Sequence, residues 1–101
     1  MALKMYRQGD ILFVEAEEIP EEREHQPDGI VARGEVTGHM HRITPRSKAA
    51  LYLCAAISYI HAQQETEIVH EEHDTINLPI GNYKVIRQQE YTPEGWRQVE
   101  D

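Results

Sequence analysis

Four of the six histidines in the chain form two closely spaced pairs. His39 and His41 are separated by one residue, and His70 and His73 are separated by two. On a β-strand, side chains alternate between the two faces, so residues i and i+2 share a face and their Cα atoms lie about 7 Å apart. This spacing lets the imidazoles of His39 and His41 reach one metal ion.

The second pair lies in the segment HEEH at residues 70–73, which places two imidazoles and two carboxylates within four residues. Imidazole nitrogen and carboxylate oxygen are suitable ligands for zinc, iron, manganese and nickel. We therefore expect a divalent transition metal, with zinc as the first expectation, at His39, His41 and His70. His73 is then a fourth ligand or a partner of a ligand.

Three glutamates stand close to these histidines in the sequence. Glu35 is expected to bind the metal or to accept a hydrogen bond from a histidine N–H group. If the protein is an enzyme, an open coordination position would activate water or hold a substrate. Glu35, Glu71 and Glu72 are then the candidate general bases. The sequence does not choose between hydrolysis and isomerisation, nor does it establish catalysis.

Arg42 and Arg46 follow the first histidine pair directly, in a chain whose net charge is −8. One interpretation is a solvated basic loop. The other is an anion-binding rim beside the metal, which would favour a small ligand that carries a carboxylate or a phosphate.

Alternatives without catalysis remain open. The histidines can be solvated or structural, and the protein can be a non-catalytic binding or oligomerisation module with a structural metal or none. A third hypothesis is a metal-free, pH-responsive protein, because clustered histidines repel one another once protonated. Outside the two pairs, His25 is expected at the surface, His61 on a strand, and Cys54 as a small buried apolar residue.

Length and composition set the framework for these side chains. The chain has 101 residues, which predicts a single β-rich domain over residues 1–101. The excess of acidic over basic residues argues against broad nucleic-acid binding. No apolar run has the length of a membrane span, and no signal peptide is recognised. With one cysteine, we expect a cytoplasmic protein without an internal disulfide, and a homo-oligomer, first of all a dimer.

Short apolar and alternating segments predict strands. Residues 11–14 form a continuous apolar run, and a second strand is expected to start at Ile30 and to continue to His41. Residues 49–62 permit a helix by composition, but their aromatic and β-branched residues favour two short strands. The sequence Thr92-Pro93-Glu94 predicts a short C-terminal helix or turn. Together these elements predict a mainly β fold, either a small barrel or a sandwich.

Two resemblances appear at the same residues. Gly34 precedes His39-Met40-His41 by four residues, and Pro79-Ile80-Gly81 follows, which resembles the two motifs of the cupins. This resemblance implies a cupin-like small β-barrel with a histidine-bound metal. The cupin glutamate after the histidine pair is absent, and Lys84 takes the place of the second-motif histidine.

The second resemblance covers nearly the whole chain. The segments RQGD at residues 7–10, GEVTGHMH at 34–41 and HEEH at 70–73, together with residues 83–91, resemble a family of short, uncharacterised prokaryotic and phage proteins. This resemblance implies no activity.

Overall fold

The computed structural model describes residues 3–33, 38–87, 89–92 and 95–98. These residues form β-strands and one short 3-10 turn at Arg46–Lys48. The strands are β1 (Met5–Gln8), β2 (Ile11–Ala16), β3 (Glu24–His25), β4 (Ile30–Arg33), β5 (Met40–Thr44), β6 (Ala49–Cys54), β7 (Ile57–Ala62), β8 (Thr66–Val69), β9 (Ile76–Leu78), β10 (Gly81–Arg87), β11 (Gln89–Thr92) and β12 (Gly95–Gln98).

The strands assemble into two main antiparallel sheets. One sheet has the order β1-β2-β10-β7-β6-β3, and the other has the order β4-β5-β8-β9. Strands β11 and β12 pair with each other as a separate hairpin. The predicted mainly β fold is confirmed, and it is consistent with a small sandwich. The described strands close no barrel, so the cupin-like barrel is not confirmed.

The core lies where the two sheets meet. Residues Ile11 and Phe13 of β2 are buried at alternate positions, as a strand with one inward face requires. Both sheets contribute to one buried cluster, whose further members include Ile43, Leu51, Ile60, Ile68 and Leu78. Each such side chain contributes about 1.5–3 kcal/mol when it is fully removed from water.

Tyr83 of β10 also belongs to this core, and its hydroxyl donates a hydrogen bond to the Pro79 carbonyl over 2.7 Å. Burial of the phenol raises the pKa of Tyr83 to about 12, and the nearby Tyr6 and Glu15 contribute to the shift. The buried end of the side chain is therefore satisfied only as the neutral phenol.

Residues 49–62 form the hairpin of β6 and β7, which confirms the prediction of two strands. Cys54 pairs with Ile57, so Ala55 and Ala56 make a two-residue loop. Both alanines have positive φ, 49° and 68°, as a tight hairpin turn of the I′ type requires. Cys54 is free and half-buried at the end of β6, more exposed than the sequence predicted.

One strand prediction is wrong. The expected strand from Ile30 to His41 is instead two antiparallel strands, because β4 ends at Arg33 and Arg33 pairs with Met40 at the start of β5. Residues 34–37, including Glu35, lie outside the described part of the chain.

Of the predicted C-terminal helix or turn, the helix is not found among the described residues, where strands β11 and β12 pair and Thr92 lies opposite Gly95. The sequence Thr-Pro-Glu-Gly that resembles a helix start is equally typical of a turn, because proline favours position i+1 and glycine position i+3. Residues 93–94 themselves, on which the alternative of a turn rests, are not among the described residues. Within the described residues, no helix has the length and apolar character to cross a membrane.

Candidate metal centre

Pairing between β5 and β8 brings the two histidine pairs together. Arg42 pairs with Val69, so the next residues toward the same end, His41 and His70, lie beside each other. Their ring centroids are 4.4 Å apart. His39 lies two residues before His41, and its ring centroid is 5.6 Å from that of His70.

His73 completes this cluster. Its ring lies 4.5 Å from the His70 ring and stacks nearly parallel to the His41 ring at 6.1 Å. The structure therefore places the side chains of His39, His41, His70 and His73 in one contiguous group.

Three side chains at the edge of this group could hold a metal ion. One potential ligand atom from each of His39, His70 and Glu71 lies within 4.8 Å of the others. We refer to these three residues as the outer triad. His70 is buried, His39 is half-buried and Glu71 is exposed, so the triad opens toward solvent.

Glu71 is held in place by the strand opposite. Its Oε2 atom accepts a hydrogen bond from the Met40 backbone N–H over 2.9 Å. Its Oε1 atom lies 3.7 Å from Nη2 of Arg42. The Met40 N–H group is the largest cause that lowers the pKa of Glu71, and the backbone N–H of Glu71 itself and the charge of Arg42 add to the shift. Glu71 is therefore a carboxylate at neutral pH.

The other glutamate of the HEEH segment lies at the rim of the cluster. Oε1 of Glu72 is 3.5 Å from Nδ1 of His39, and most of the Glu72 side chain is exposed. Of the three glutamates predicted as bases, Glu71 and Glu72 thus lie at the cluster, whereas nothing is described for Glu35.

The ring of His70 also shapes the turn that follows it. Its Nδ1 atom accepts hydrogen bonds from the backbone N–H groups of Glu72 and His73, over 3.0 and 3.3 Å. Because Nδ1 acts as an acceptor, a neutral His70 carries its proton on Nε2. If Nε2 of His70 were to bind a metal, the proton of the neutral ring would have to move to Nδ1, and Nδ1 would no longer accept these two N–H groups.

His41 has a different environment, deep between the sheets. Its side chain is 0% exposed, and Nδ1 lies 2.8 Å from Oε1 of Gln8. The Gln8 Nε2 group donates to the backbone carbonyls of Ile68 and Asp74, which fixes the orientation of the amide. The Gln8 oxygen therefore faces His41, and since this oxygen only accepts, Nδ1 of His41 is the protonated nitrogen.

The second ring nitrogen of His41 faces a buried carboxylate. Nε2 lies 3.6 Å from Oδ1 of Asp10, and Asp10 is nearly fully buried. The other Asp10 oxygen lies 3.5 Å from Nε of Arg87, and Arg87 also donates to the Arg33 carbonyl. We call Gln8, Asp10, His41 and Arg87 the inner network.

Sequence reasoning assigned no site role to Gln8, Asp10 or Arg87. Gln8 and Asp10 flank Gly9, directly before the apolar strand β2, and Arg87 ends β10. The signal was a polar segment at the start of a buried strand, but polar residues at strand ends are normally solvated. Only the packing of the two sheets shows that Gln8 and Asp10 are buried and that Arg87 is half-buried.

The remaining predicted residues divide between the cluster and other regions. Arg42 contacts the cluster through Glu71, whereas Arg46 lies in the 3-10 turn and donates to the Pro27 carbonyl. His25 is exposed on β3, as predicted. His61 lies on β7, as predicted, with Nδ1 2.7 Å from Oδ1 of Asn82.

A family model described as "Domain of unknown function (DUF8820)" matches residues 7–88. The chain belongs to this family. The match confirms the resemblance to an uncharacterised family and includes all six histidines of the chain. No curated protein and no solved structure matches the chain.

Proposed function

We propose that this protein binds a divalent transition metal at the outer triad, with zinc as the first candidate. The observation that supports this proposal is the approach of His39, His70 and Glu71 to within 4.8 Å of one another. Zinc holds nitrogen and oxygen ligands at about 2 Å. Each of the three ligand atoms would therefore have to move only about 1 Å toward the metal. Such shifts are within the reach of side-chain rotation.

The ligand set proposed here differs from the set that the sequence suggested. His39 and His70 are retained, and Glu71 becomes a ligand instead of a base. His41 becomes a support for the site, because its Nδ1–H group is bound to Gln8 and its Nε2 atom faces Asp10. His73 flanks the metal as a neighbour of His70.

Two imidazoles and one carboxylate form a set that leaves coordination positions open. Zinc enzymes and non-haem iron enzymes both use such sets, and the open position holds water or substrate. In a catalytic version of the proposal, Glu72 is the base, since it lies beside His39 at the exposed rim.

The His70 turn supplies a direct signature of binding. A metal on Nε2 of His70 must disturb the two hydrogen bonds that Nδ1 accepts from Glu72 and His73. In a ¹H–¹⁵N spectrum, the amide signals of these two residues are expected to shift when zinc is added.

Metal content is the experiment that tests the proposal. The untagged protein, its His39→Ala variant and its Glu71→Gln variant are purified in parallel and measured by elemental mass spectrometry. His25→Ala is the matched control, because it removes an exposed histidine outside the cluster. About one metal per chain in the wild type and the control, with loss in both site variants, supports the proposal. Equal metal content in all four proteins contradicts it.

A second function is favoured by the hydrogen bonds of His70. Nδ1 of His70 already accepts two hydrogen bonds from the turn, and metal binding at Nε2 would disturb them. The cluster is therefore also suited to a non-catalytic binding module that holds no metal. This alternative predicts no metal after purification and the same melting temperature with and without added zinc, iron, manganese or nickel.

We also propose that the protein forms homo-oligomers. Strand β1 is an edge of its sheet as described, and Met5 on this strand and Leu3 just before it each expose more than half of their surface. Edge strands with exposed apolar side chains are suited to pair with a second copy. Light scattering tests this proposal. A molar mass above that of one chain is expected, and the mass of a single chain at the highest concentration measured would contradict the proposal.

A further inference from the structure

A surface groove lies next to the outer triad, on the outer side of β5. Its volume is about 700 Å³, against about 230–260 Å³ for three other described cavities. Two arginines and two hydroxyl groups line the groove, and apolar side chains form its floor. These residues are Arg42, Arg46, Thr44, Ser47, Met40 and Ile43. A groove of this size and composition can hold a small molecule with one charged end.

Arg46 is held across one side of this groove. Its aliphatic stem covers Gly29, where an added Cβ atom would lie only 2.9 Å from Cγ of Arg46. Gly29 has a φ of +66°, so the turn and the close packing both require glycine. The Arg46 guanidinium also donates to the Pro27 carbonyl over 3.2 Å. These contacts order the side chain before any ligand binds.

Arg42 connects the groove to the triad. Its Nη2 atom lies 3.7 Å from Oε1 of Glu71, and both side chains are partly exposed. The backbone N–H of Met40, which also lines the groove, donates to the same carboxylate. One end of the groove is therefore adjacent to a proposed metal ligand.

The charge of the groove is positive in a chain with a net charge of −8. The one acidic residue in the described lining, Asp28, has its carboxylate engaged elsewhere. Its Oδ1 atom accepts the Ile30 N–H group at 3.0 Å, and its Oδ2 atom lies 4.0 Å from Arg33. The lining thus carries two guanidiniums and one carboxylate, whereas Glu71, the ion-pair partner of Arg42, lies outside the lining.

We propose that this groove binds a small organic anion, with a phosphate or carboxylate head between Arg42 and Arg46 and an apolar body on the groove floor. Guanidinium groups bind both head groups through paired hydrogen bonds. The assignment of this anion as the substrate class of the metal site rests on the function proposed above. Binding of the anion itself does not require the metal.

Glu71 couples the two sites. A metal bound to Glu71 would compensate the negative charge of this carboxylate, so Glu71 would repel an anion at Arg42 less. By linkage, the anion must then raise the affinity for the metal by the same factor. A severalfold increase in each affinity is expected in the presence of the other ligand.

The experiment uses phenyl phosphate as the probe, with benzyl alcohol as its uncharged counterpart. Binding is followed by ¹H–¹⁵N spectra, including the arginine side-chain signals, in chelator and then with one equivalent of zinc. Phenyl phosphate is expected to shift the Arg42 and Arg46 signals, and benzyl alcohol is not. Arg46→Gln should weaken binding about tenfold or more, and Arg46→Lys should weaken it less.

Arg23→Gln is the matched control, because Arg23 is an exposed arginine that stacks on Tyr52 outside the groove. The proposal is overturned if phenyl phosphate binds no better than benzyl alcohol, or if Arg46→Gln and Arg23→Gln have the same effect. If phenyl phosphate binds in chelator and zinc does not strengthen this binding, the result supports anion binding in the groove and contradicts its coupling to the metal site. If zinc binds and phenyl phosphate does not, the result contradicts anion binding in the groove and leaves the proposed metal site in place.

Discussion

The inner network and the outer triad both combine imidazole with carboxylate, and the nearest rings of the two, those of His41 and His70, have centroids 4.4 Å apart. In the inner network, Gln8 and Asp10 surround His41 and engage both of its ring nitrogens. In the outer triad, His39 and Glu71 are partly exposed and held from one side. The difference indicates that burial and hydrogen bonding, rather than residue type, decide which histidine can bind a ligand.

The energetic reason is the cost of burying polar groups. A buried carboxylate or imidazole without partners is expensive, so those between the sheets must be satisfied by the protein itself. Side chains at the rim carry a smaller cost, because water or a metal ion can serve them. We therefore expect changes in the inner network to affect stability and changes in the outer triad to affect binding.

The largest effect is expected for Asp10→Ala. This change leaves the buried His41 and the Arg87 guanidinium without their carboxylate, and loss of one partner from a buried charged network costs about 3–5 kcal/mol. Urea unfolding in chelator measures this cost. Asp74→Ala is the control, because Asp74 is exposed and contributes only its backbone carbonyl to Gln8. Equal destabilisation by both changes would contradict the division into two regions.

The next effect is expected for Gln8→Leu. Leucine removes the donor to the Ile68 and Asp74 carbonyls and the acceptor for His41, and unsatisfied buried groups cost about 1–3 kcal/mol. The same unfolding experiment measures it. A Gln8→Leu protein as stable as the wild type would show that the glutamine does not hold His41.

His39→Ala tests the outer triad in the same comparison. The contact of His39 with Glu72 is to a mostly exposed carboxylate, so loss of this contact should cost only about 0.5–1 kcal/mol in chelator. With zinc present, the wild type should gain melting temperature and the variant should not. A loss in chelator as large as that of Asp10→Ala would place His39 with the inner residues.

The smallest effect is expected for the pH dependence of folding stability that results from the lowered pKa of Glu71. Its folded-state pKa lies below the usual 4.5, so the carboxylate stabilises the folded chain above that pH. This contribution is lost as the pH falls through the folded-state pKa. In chelator, Glu71→Gln should make the fall of stability below pH 4.5 slightly shallower. An unchanged slope would mean that the Met40 N–H bond gives the fold no net stability.

The sequence predicted most of the strands because their apolar residues alternate or run continuously. It left residues 49–62 ambiguous for a local reason: the turn at Ala55 and Ala56 has no glycine or asparagine, although both residues have positive φ. It also joined β4 to β5, because both strands have strand-forming residues and alternation alone does not show a reversal.

The candidate site was likewise predictable only in part. The two histidine pairs were visible as pairs, and antiparallel pairing of β5 with β8 explains why they meet. Burial of Gln8 and Asp10 was not predictable, since it depends on how one sheet packs on the other. For that reason the sequence treated His41 as equivalent to His39.

A Co²⁺ titration of the metal-free protein tests the central claim most directly. Cobalt in a site of two imidazoles and one carboxylate gives visible absorption bands, and their growth counts the sites. The outer-triad proposal predicts saturation at about one ion per chain, with the bands abolished in His39→Ala and retained in His25→Ala. Bands of equal intensity in the two variants, or none in the wild type, would contradict a metal site at His39, His70 and Glu71.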